Sequence, residues 1–171
     1  MTSPEQQQHS PATRGEGRTV RTDWGRLVLR IAIGGLLIIH GLQGLADPAR
    51  RVGLTSSFGV PLPEISTWLS ILGEIGTSVA VVAGLLTRVS ALLMAVLMGT
   101  TWLVANLGKP LIEAGEPGLA HENSMFFGLA AVAVLLLGPG RLSFDSIIRD
   151  RLELHRNNHP ANRLASTLLG S

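Results

Sequence analysis

Four long apolar stretches, separated by polar segments that contain Gly and Pro, dominate the pattern of this 171-residue chain. They run over residues 27–45, 65–86, 89–107 and 122–137. A helix of about 20 apolar residues, rising about 1.5 Å per residue, crosses a bilayer core about 30 Å thick. The pattern therefore predicts an all-α integral membrane protein, a four-helix bundle.

The polar flanks of this bundle differ from each other. Residues 1–23 are rich in Gln, Ser, Thr, Gly and Pro, and we expect a disordered cytoplasmic tail there. Residues 24–141 contain the four spans. In residues 142–171, Ser143 is expected to cap an amphipathic helix that lies on the membrane surface, followed by a loose tail. The apolar face of this interfacial helix consists of Phe144, Ile147, Ile148 and Leu152.

The connections between the spans indicate how they pack. Residues 49–64 contain two Gly and two Pro, which predicts a loop at the membrane surface. The short link at Thr87-Arg88 makes the second and third spans antiparallel neighbours. Small residues recur every fourth position in both spans, and we expect the spans to pack along them. These stripes are Gly76, Ala80 and Gly84, and Ala91, Ala95 and Gly99.

Composition and charge exclude several classes of function. The chain has no Cys, which excludes disulfides, thiol nucleophiles, Cys-ligated iron–sulfur clusters and covalently attached c-type haem. Its 14 Lys and Arg lie mostly beside the apolar stretches, which favours contact with anionic lipid and argues against nucleic acid. Most flank the N-terminus, the Arg88 turn and the C-terminus, so both termini of this multi-pass protein are expected to be cytoplasmic.

The second span carries Glu74 near its middle. A charged side chain at the centre of a membrane helix costs about 3 kcal/mol on insertion scales, so it needs a partner. Glu74 lies about 14 Å, and His40 about 8 Å, from the outer ends of their spans. We therefore expect these two residues to exchange a proton, with a tilt or a water closing the gap. A structural hydrogen bond for Glu74 and a packing role for His40 remain the alternatives.

Other polar side chains are expected in the same outer half of the bundle. Gln43, Trp102, Asn106 and Glu122 are candidates for lining a binding site, although interfacial positions at helix ends would also explain them. The inner half is expected to be almost purely apolar, with Arg30 extending back to the lipid headgroups. The His and Glu residues lack the i, i+3 or i, i+4 ligand pairs of helical metal sites, so no metal is expected.

Several segments of the chain resemble the DoxX family of small bacterial four-helix membrane proteins. They are RLVLRIAIGGLLIIHGLQGL, FGVPLP, LGEIGTSVAVVAGLLTR and LLLGPGRLSFD, and the resemblance extends from Arg26 to Asp145. One departure concerns the position after HGLQ, where members often carry Lys and this chain has Gly44.

The resemblance implies a bacterial plasma-membrane protein with a link to oxidoreductase systems. Family members include the membrane subunit of a thiosulfate:quinone oxidoreductase, and others resemble anchors of complexes that handle oxidative or thiol stress. It thus implies a quinone as cofactor and soluble oxidoreductases as partners. Two alternatives stay open: a non-catalytic scaffold that recruits soluble partners, and a small proton-coupled transporter. Whether the chain is an enzyme stays open, and its short helices are compatible with a homo-oligomer.

Overall fold

The computed structural model describes residues 12–107, 109–112 and 118–157, and these residues form six α-helices and no strand. The all-α prediction is therefore confirmed. The helices are α1 (Ala12–Ala46), α2 (Pro48–Ser57), α3 (Pro63–Ala83), α4 (Thr87–Ala105), α5 (Glu122–Leu137) and α6 (Phe144–Asn157).

Three of these helices are long and apolar enough to cross a membrane, over Val20–Ala46, Pro63–Ala83 and Thr87–Ala105. They correspond to the first three predicted spans. The fourth predicted span corresponds to α5, which is apolar but has only 16 residues. Large apolar side chains such as Leu36, Leu72 and Val96 are exposed on the outside of the bundle, an arrangement that suits a lipid environment.

The interior of the bundle is a compact apolar core. It is formed by Ile33, Leu37, Val81, Ala91, Met94, Met98, Ala131 and Val134. Helices α1 and α3 approach each other closely at Gly41, where an added Cβ would lie 2.6 Å from Ile75 Cγ1 and 3.5 Å from Glu74 Cβ. The absence of a side chain at Gly41 therefore brings the backbone of α1 against the helix that carries Glu74.

The small-residue stripes account for only part of the packing. Ala91 is fully buried and Ala95 packs against the core, as expected. The positions of Gly76 and Gly99, in contrast, are exposed and an added Cβ would meet nothing within 4 Å. Contact between α3 and α4 instead occurs at Gly73, where an added Cβ would lie 3.1 Å from Leu97 Cδ2. Gly76 therefore does not take part in the contact as expected, because spacing alone does not say which face of a helix meets its neighbour.

Residues 48–57 form helix α2, so the prediction of a loop over residues 49–64 is wrong for its first part. Asp47 accepts a hydrogen bond from the Arg50 amide and Pro48 occupies the first turn, and both residues favour a helix start. Two of the residues that predicted a loop, Gly59 and Pro61, lie in the connection between α2 and α3.

Helix α1 begins at Ala12, within the segment expected to be a disordered tail. Extending an existing helix adds a hydrogen bond for each residue ordered, whereas starting one is costly, so α1 can continue into a polar segment. The rest of the expected N-terminal tail, residues 1–11, and the loose tail after residue 157 lie outside the described residues.

Helix α6 begins where it was expected, and it is fixed to the turn between α3 and α4. Ser143 Oγ accepts from the Ser146 amide at 3.2 Å, which confirms its capping role. Asp145 reaches the start of α4, where its carboxylate accepts from the amides of Leu86 at 2.7 Å and Thr87 at 2.8 Å, and from Thr87 Oγ1 at 2.8 Å. The Asp145 amide in turn donates to the Gly84 carbonyl at 3.0 Å. An acidic residue of one helix thus caps another.

We expect Asp145→Ala to lower the free energy of unfolding by about 1 kcal/mol at neutral pH, the usual loss for a helix cap. Burial opposes ionisation of Asp145, but hydrogen bonds from Thr87 and Leu86 and the charge of Arg149 outweigh it and hold the pKa of Asp145 below 3.8. The cap is therefore fully present above that value and is lost as the pH falls through the lower, folded pKa. Unfolding in detergent at several pH values checks this: a deficit of the variant that persisted far below that pKa would contradict it.

Arg30 is buried in the half of the bundle that was expected to be apolar. Only 2% of it is exposed, and its guanidinium donates to the carbonyls of Val82 at 3.1 Å, Leu142 at 3.0 Å, and Pro139. The expectation that Arg30 extends to the headgroups is therefore wrong. Three backbone carbonyls from distant parts of the chain replace the water that it would have found there.

Candidate functional site

Glu74 lies in the interior of the bundle, on the face of α3 that packs against α1 and α2. Only 1% of its side chain is exposed, which agrees with the expectation that this carboxylate is not solvated. Its Oε1 accepts a hydrogen bond from Arg51, with which it forms an ion pair, and a second from Ser70 Oγ at 3.3 Å. The partner that the sequence required for Glu74 is therefore an arginine.

Arg51 reaches Glu74 from α2, a helix that sequence reasoning assigned to a loop. Its second guanidinium nitrogen donates to the His40 carbonyl at 3.3 Å, so one side chain joins α1, α2 and α3. The guanidinium occupies the space above Gly44, where an added Cβ would collide with it. A glycine at position 44 is thus a condition for this ion pair.

A pair of threonines fixes the position of α2 on α3. Thr55 Oγ1 donates to the Arg51 carbonyl at 3.0 Å and accepts from Thr67 Oγ1 at 2.8 Å. Thr67 is itself buried, in the first half of α3. Arg51 is therefore held in place through both its side chain and its backbone, and the ion pair is built on a rigid support.

The second oxygen of Glu74 is the least satisfied atom of this site. Glu74 Oε2 is buried and accepts no hydrogen bond from any described residue. A buried polar atom without a partner costs about 1–3 kcal/mol, and more when it carries charge. Arg51 is 18% exposed, so its guanidinium can be reached from the surface on the α2 side, whereas Glu74 lies behind it at 1% exposure. The site therefore presents a guanidinium donor at its surface and, among the described residues, an unpartnered carboxylate oxygen in its interior.

His40 takes a different place from the one expected. Its side chain is exposed on α1, and its backbone carbonyl, not its imidazole, contacts the ion pair. Gly41, the neighbour of His40, faces Glu74, and its added Cβ would lie 3.5 Å from Glu74 Cβ. A role for the His40 side chain in exchanging protons with the surroundings stays a prediction.

The structure distributes the four candidate lining residues over the same end of the bundle. Gln43 is exposed on α1. Asn106 is buried and donates from Nδ2 to the Trp102 carbonyl at 2.8 Å, while its Oδ1 and Trp102 Nε1 are buried without a partner among the described residues. Glu122 accepts a hydrogen bond from the Leu119 amide at 3.3 Å, within the turn that precedes α5. No hydrogen bond within the described ranges links these four side chains to Glu74, and their role in binding stays a prediction.

Part of the chain matches a known protein-family model. The DoxX model matches residues 25–107, from the membrane part of α1 to the end of α4. Residues 25–107 of the chain form a DoxX domain. Searches of curated proteins and of solved structures give no significant match.

The matched DoxX region contains the whole ion-pair site. Arg51, Glu74 and the three helices that hold them fall inside it, as do His40, Gln43, Trp102 and Asn106. Glu122, α5 and the GPGRLSFD segment fall outside it, so the resemblance of that last segment rests on its sequence alone.

Sequence reasoning missed Arg51 and the buried position of Arg30. Asp47-Pro48 is a typical helix start, and this signal could have shown that Arg51 lies on a helix that returns to the bundle. No comparable signal marks Arg30, since an arginine one turn inside a span usually extends to the interface.

Proposed function

We propose that this DoxX-domain protein is the membrane subunit of an oxidoreductase system and binds a quinone-type molecule at the Arg51–Glu74 pair. The observation that carries the proposal is Glu74 Oε2, a carboxylate oxygen buried in the bundle without a hydrogen-bond partner among the described residues. Buried polar atoms without a partner are uncommon in folded proteins, and catalytic sites are one of the places where they occur.

The donor set of this site fits a quinone. A quinone supplies a two-electron acceptor that is soluble in the bilayer and takes up two protons on reduction. The Arg51 guanidinium can donate a hydrogen bond to a carbonyl oxygen, since it is always charged and presents several N–H groups. Glu74 can hold a proton at Oε2 and release it to a neighbouring oxygen. Because the chain has no Cys, the electrons would come through a non-covalent cofactor or from a partner protein.

The placement of the site in the membrane supports the same proposal. Arginines at the N-terminal flank, in the α3–α4 turn and after α5 favour a cytoplasmic position for that end of the bundle, with α5 as the fourth span. The Arg51–Glu74 pair then opens toward the outer leaflet. Labelling of single cysteines introduced at Ser57 and Ser146 would check this orientation, since the chain has no Cys of its own.

We expect Glu74→Gln to weaken binding of the reduced quinol about tenfold or more, because the quinol O–H loses a charged acceptor oxygen. The measurement is quenching of tryptophan fluorescence by a short-chain quinol, kept reduced, in detergent or nanodiscs. Glu64→Gln is the matched control, since Glu64 lies exposed in the first turn of the same helix and should leave binding unchanged.

Two results would contradict the proposal. One is a wild-type protein that binds no quinone in membranes or in detergent. The other is a folded Glu74→Gln variant with the same affinity as the wild type. Quinone-dependent turnover in membranes that contain the partner enzyme then tests the wider role: it should fall with Glu74→Gln and persist with Glu64→Gln.

A further inference from the structure

A second polar feature lies at the opposite end of the bundle from the Arg51–Glu74 pair. It is a groove of about 940 Å³ between the start of α4, the end of α5 and the start of α6, here called the arginine groove. Four arginines from four segments of the chain line it: Arg26, Arg88, Arg141 and Arg149. Helices α4 and α5 both have a terminus there, so the groove lies at the level where the apolar bundle meets polar surroundings.

The arginines surround the turn that follows α5. An added Cβ at Gly138 would lie 3.6 Å from Nε and Nη2 of Arg88, so this guanidinium lies against the turn. An added Cβ at Gly140 would lie 3.3 Å from Cδ of Arg26. The two cationic side chains therefore flank the same short segment, Gly138 to Gly140, from two sides.

The negative charges of the groove do not neutralise these arginines. Asp145 uses its carboxylate to cap α4 through three hydrogen bonds, and the charge of Arg149 acts on it. Asp150 is exposed on α6. Arg26 forms an ion pair with Asp23, with 3.3 Å between Arg26 Nη1 and Asp23 Oδ1. Within the described residues, neither Arg88 nor Arg141 has a carboxylate within 4.0 Å, so the groove carries an excess of positive charge.

The same groove also has apolar walls that remain exposed. Leu86, Val89 and Leu137 line it, and each is exposed at the edge of the bundle. Basic side chains next to apolar ones at a membrane boundary match the two halves of a phospholipid, a phosphate and its acyl chains. A soluble anion would use the arginines alone and would gain nothing from the three apolar residues.

We propose that the arginine groove binds the headgroup phosphate of an anionic glycerophospholipid, whose acyl chains lie against Leu86, Val89 and Leu137. Arg88 and Arg141 contact the phosphate. The bound lipid then connects α4 with the turn after α5, next to the place where Asp145 fixes α6. This inference is independent of the quinone proposal, since it concerns other residues at the other end of the bundle.

The experiment measures lipid binding by native mass spectrometry of the purified full-length protein with phosphatidylglycerol and, separately, phosphatidylcholine. We expect the double variant Arg88→Gln/Arg141→Gln to bind phosphatidylglycerol about 10- to 30-fold more weakly, from about 1 kcal/mol for each basic residue near the phosphate. Arg50→Gln is the matched control, because Arg50 is also exposed but lies on α2, and should not change the affinity. Arg88→Lys keeps the charge and should retain most of the binding.

Competition with excess inorganic phosphate separates a lipid site from a site for free anions. Phosphatidylglycerol should remain bound, because the acyl chains contribute to its affinity. Displacement by inorganic phosphate would overturn the lipid assignment. Equal affinity of the double variant and the wild type for phosphatidylglycerol would overturn it too, provided that both elute as the same species in size-exclusion chromatography.

Discussion

Arg51→Met is expected to destabilise the protein by about 3–5 kcal/mol, the usual loss when one partner of a buried ion pair is removed. The reason is that Glu74 is 1% exposed and would keep its charge, or take up a proton, without a cation beside it. The variant would also lose the hydrogen bond from Arg51 to the His40 carbonyl and the packing of the guanidinium over Gly44. Helix α2 should therefore loosen from the bundle. Unfolding by SDS in mixed micelles measures the free energy.

A double-mutant cycle separates the ion pair from packing. Glu74→Met should cost less than Arg51→Met, since Arg51 is 18% exposed and can turn its guanidinium toward the surface. Arg51→Met/Glu74→Met should be more stable than Arg51→Met alone, because two apolar side chains leave no buried charge. Losses that simply add in the double variant would show that the two side chains do not interact.

Arg30→Met is expected to release the segment between α5 and α6. Hydrogen bonds from a charged donor contribute about 1.5–3 kcal/mol each, and Arg30 donates to three backbone carbonyls. We expect a total loss of about 3–5 kcal/mol, less than the sum, since the freed carbonyls can find water at the end of the bundle. Limited proteolysis should then cut the turn at Gly138 to Arg141 at least about tenfold faster.

Arg30→Lys provides the comparison for this prediction. Lysine keeps the positive charge, but its three N–H donors share one nitrogen and do not span the carbonyls of Val82, Pro139 and Leu142 as the guanidinium does. It should therefore restore only part of the stability. Full recovery with Lys would show that charge, and not the spread of the guanidinium, holds the segment.

The periodic and compositional signals predicted the helices well, because they depend on local sequence. The stretch 122–137 coincides with α5, and the other three apolar stretches lie within or overlap α1, α3 and α4. The boundaries near Leu86 shifted because the turn is set by Gly84 and Leu86 in left-handed conformation, and not by where the apolar run ends. Helix α2 was missed because its sequence is polar and short.

The site was predicted in part, for a physical reason. Glu74 could be singled out because a carboxylate in an apolar span must have a partner. The identity of that partner depends on how α2 folds back over α1 and α3, which no local pattern records. Gly44 illustrates this: the guanidinium of Arg51 lies over that position, so the cation beside Glu74 comes from another helix.

The position of Arg30 also bears on how the protein is made. Its three acceptors belong to Val82, Pro139 and Leu142, so the last of them is synthesised 112 residues after Arg30 itself. While the chain is being synthesised, Arg30 therefore lacks these acceptors until Val82, and then Pro139 and Leu142, have been made. We expect burial of its guanidinium to be one of the last steps of folding, completed when the segment after α5 packs against α1.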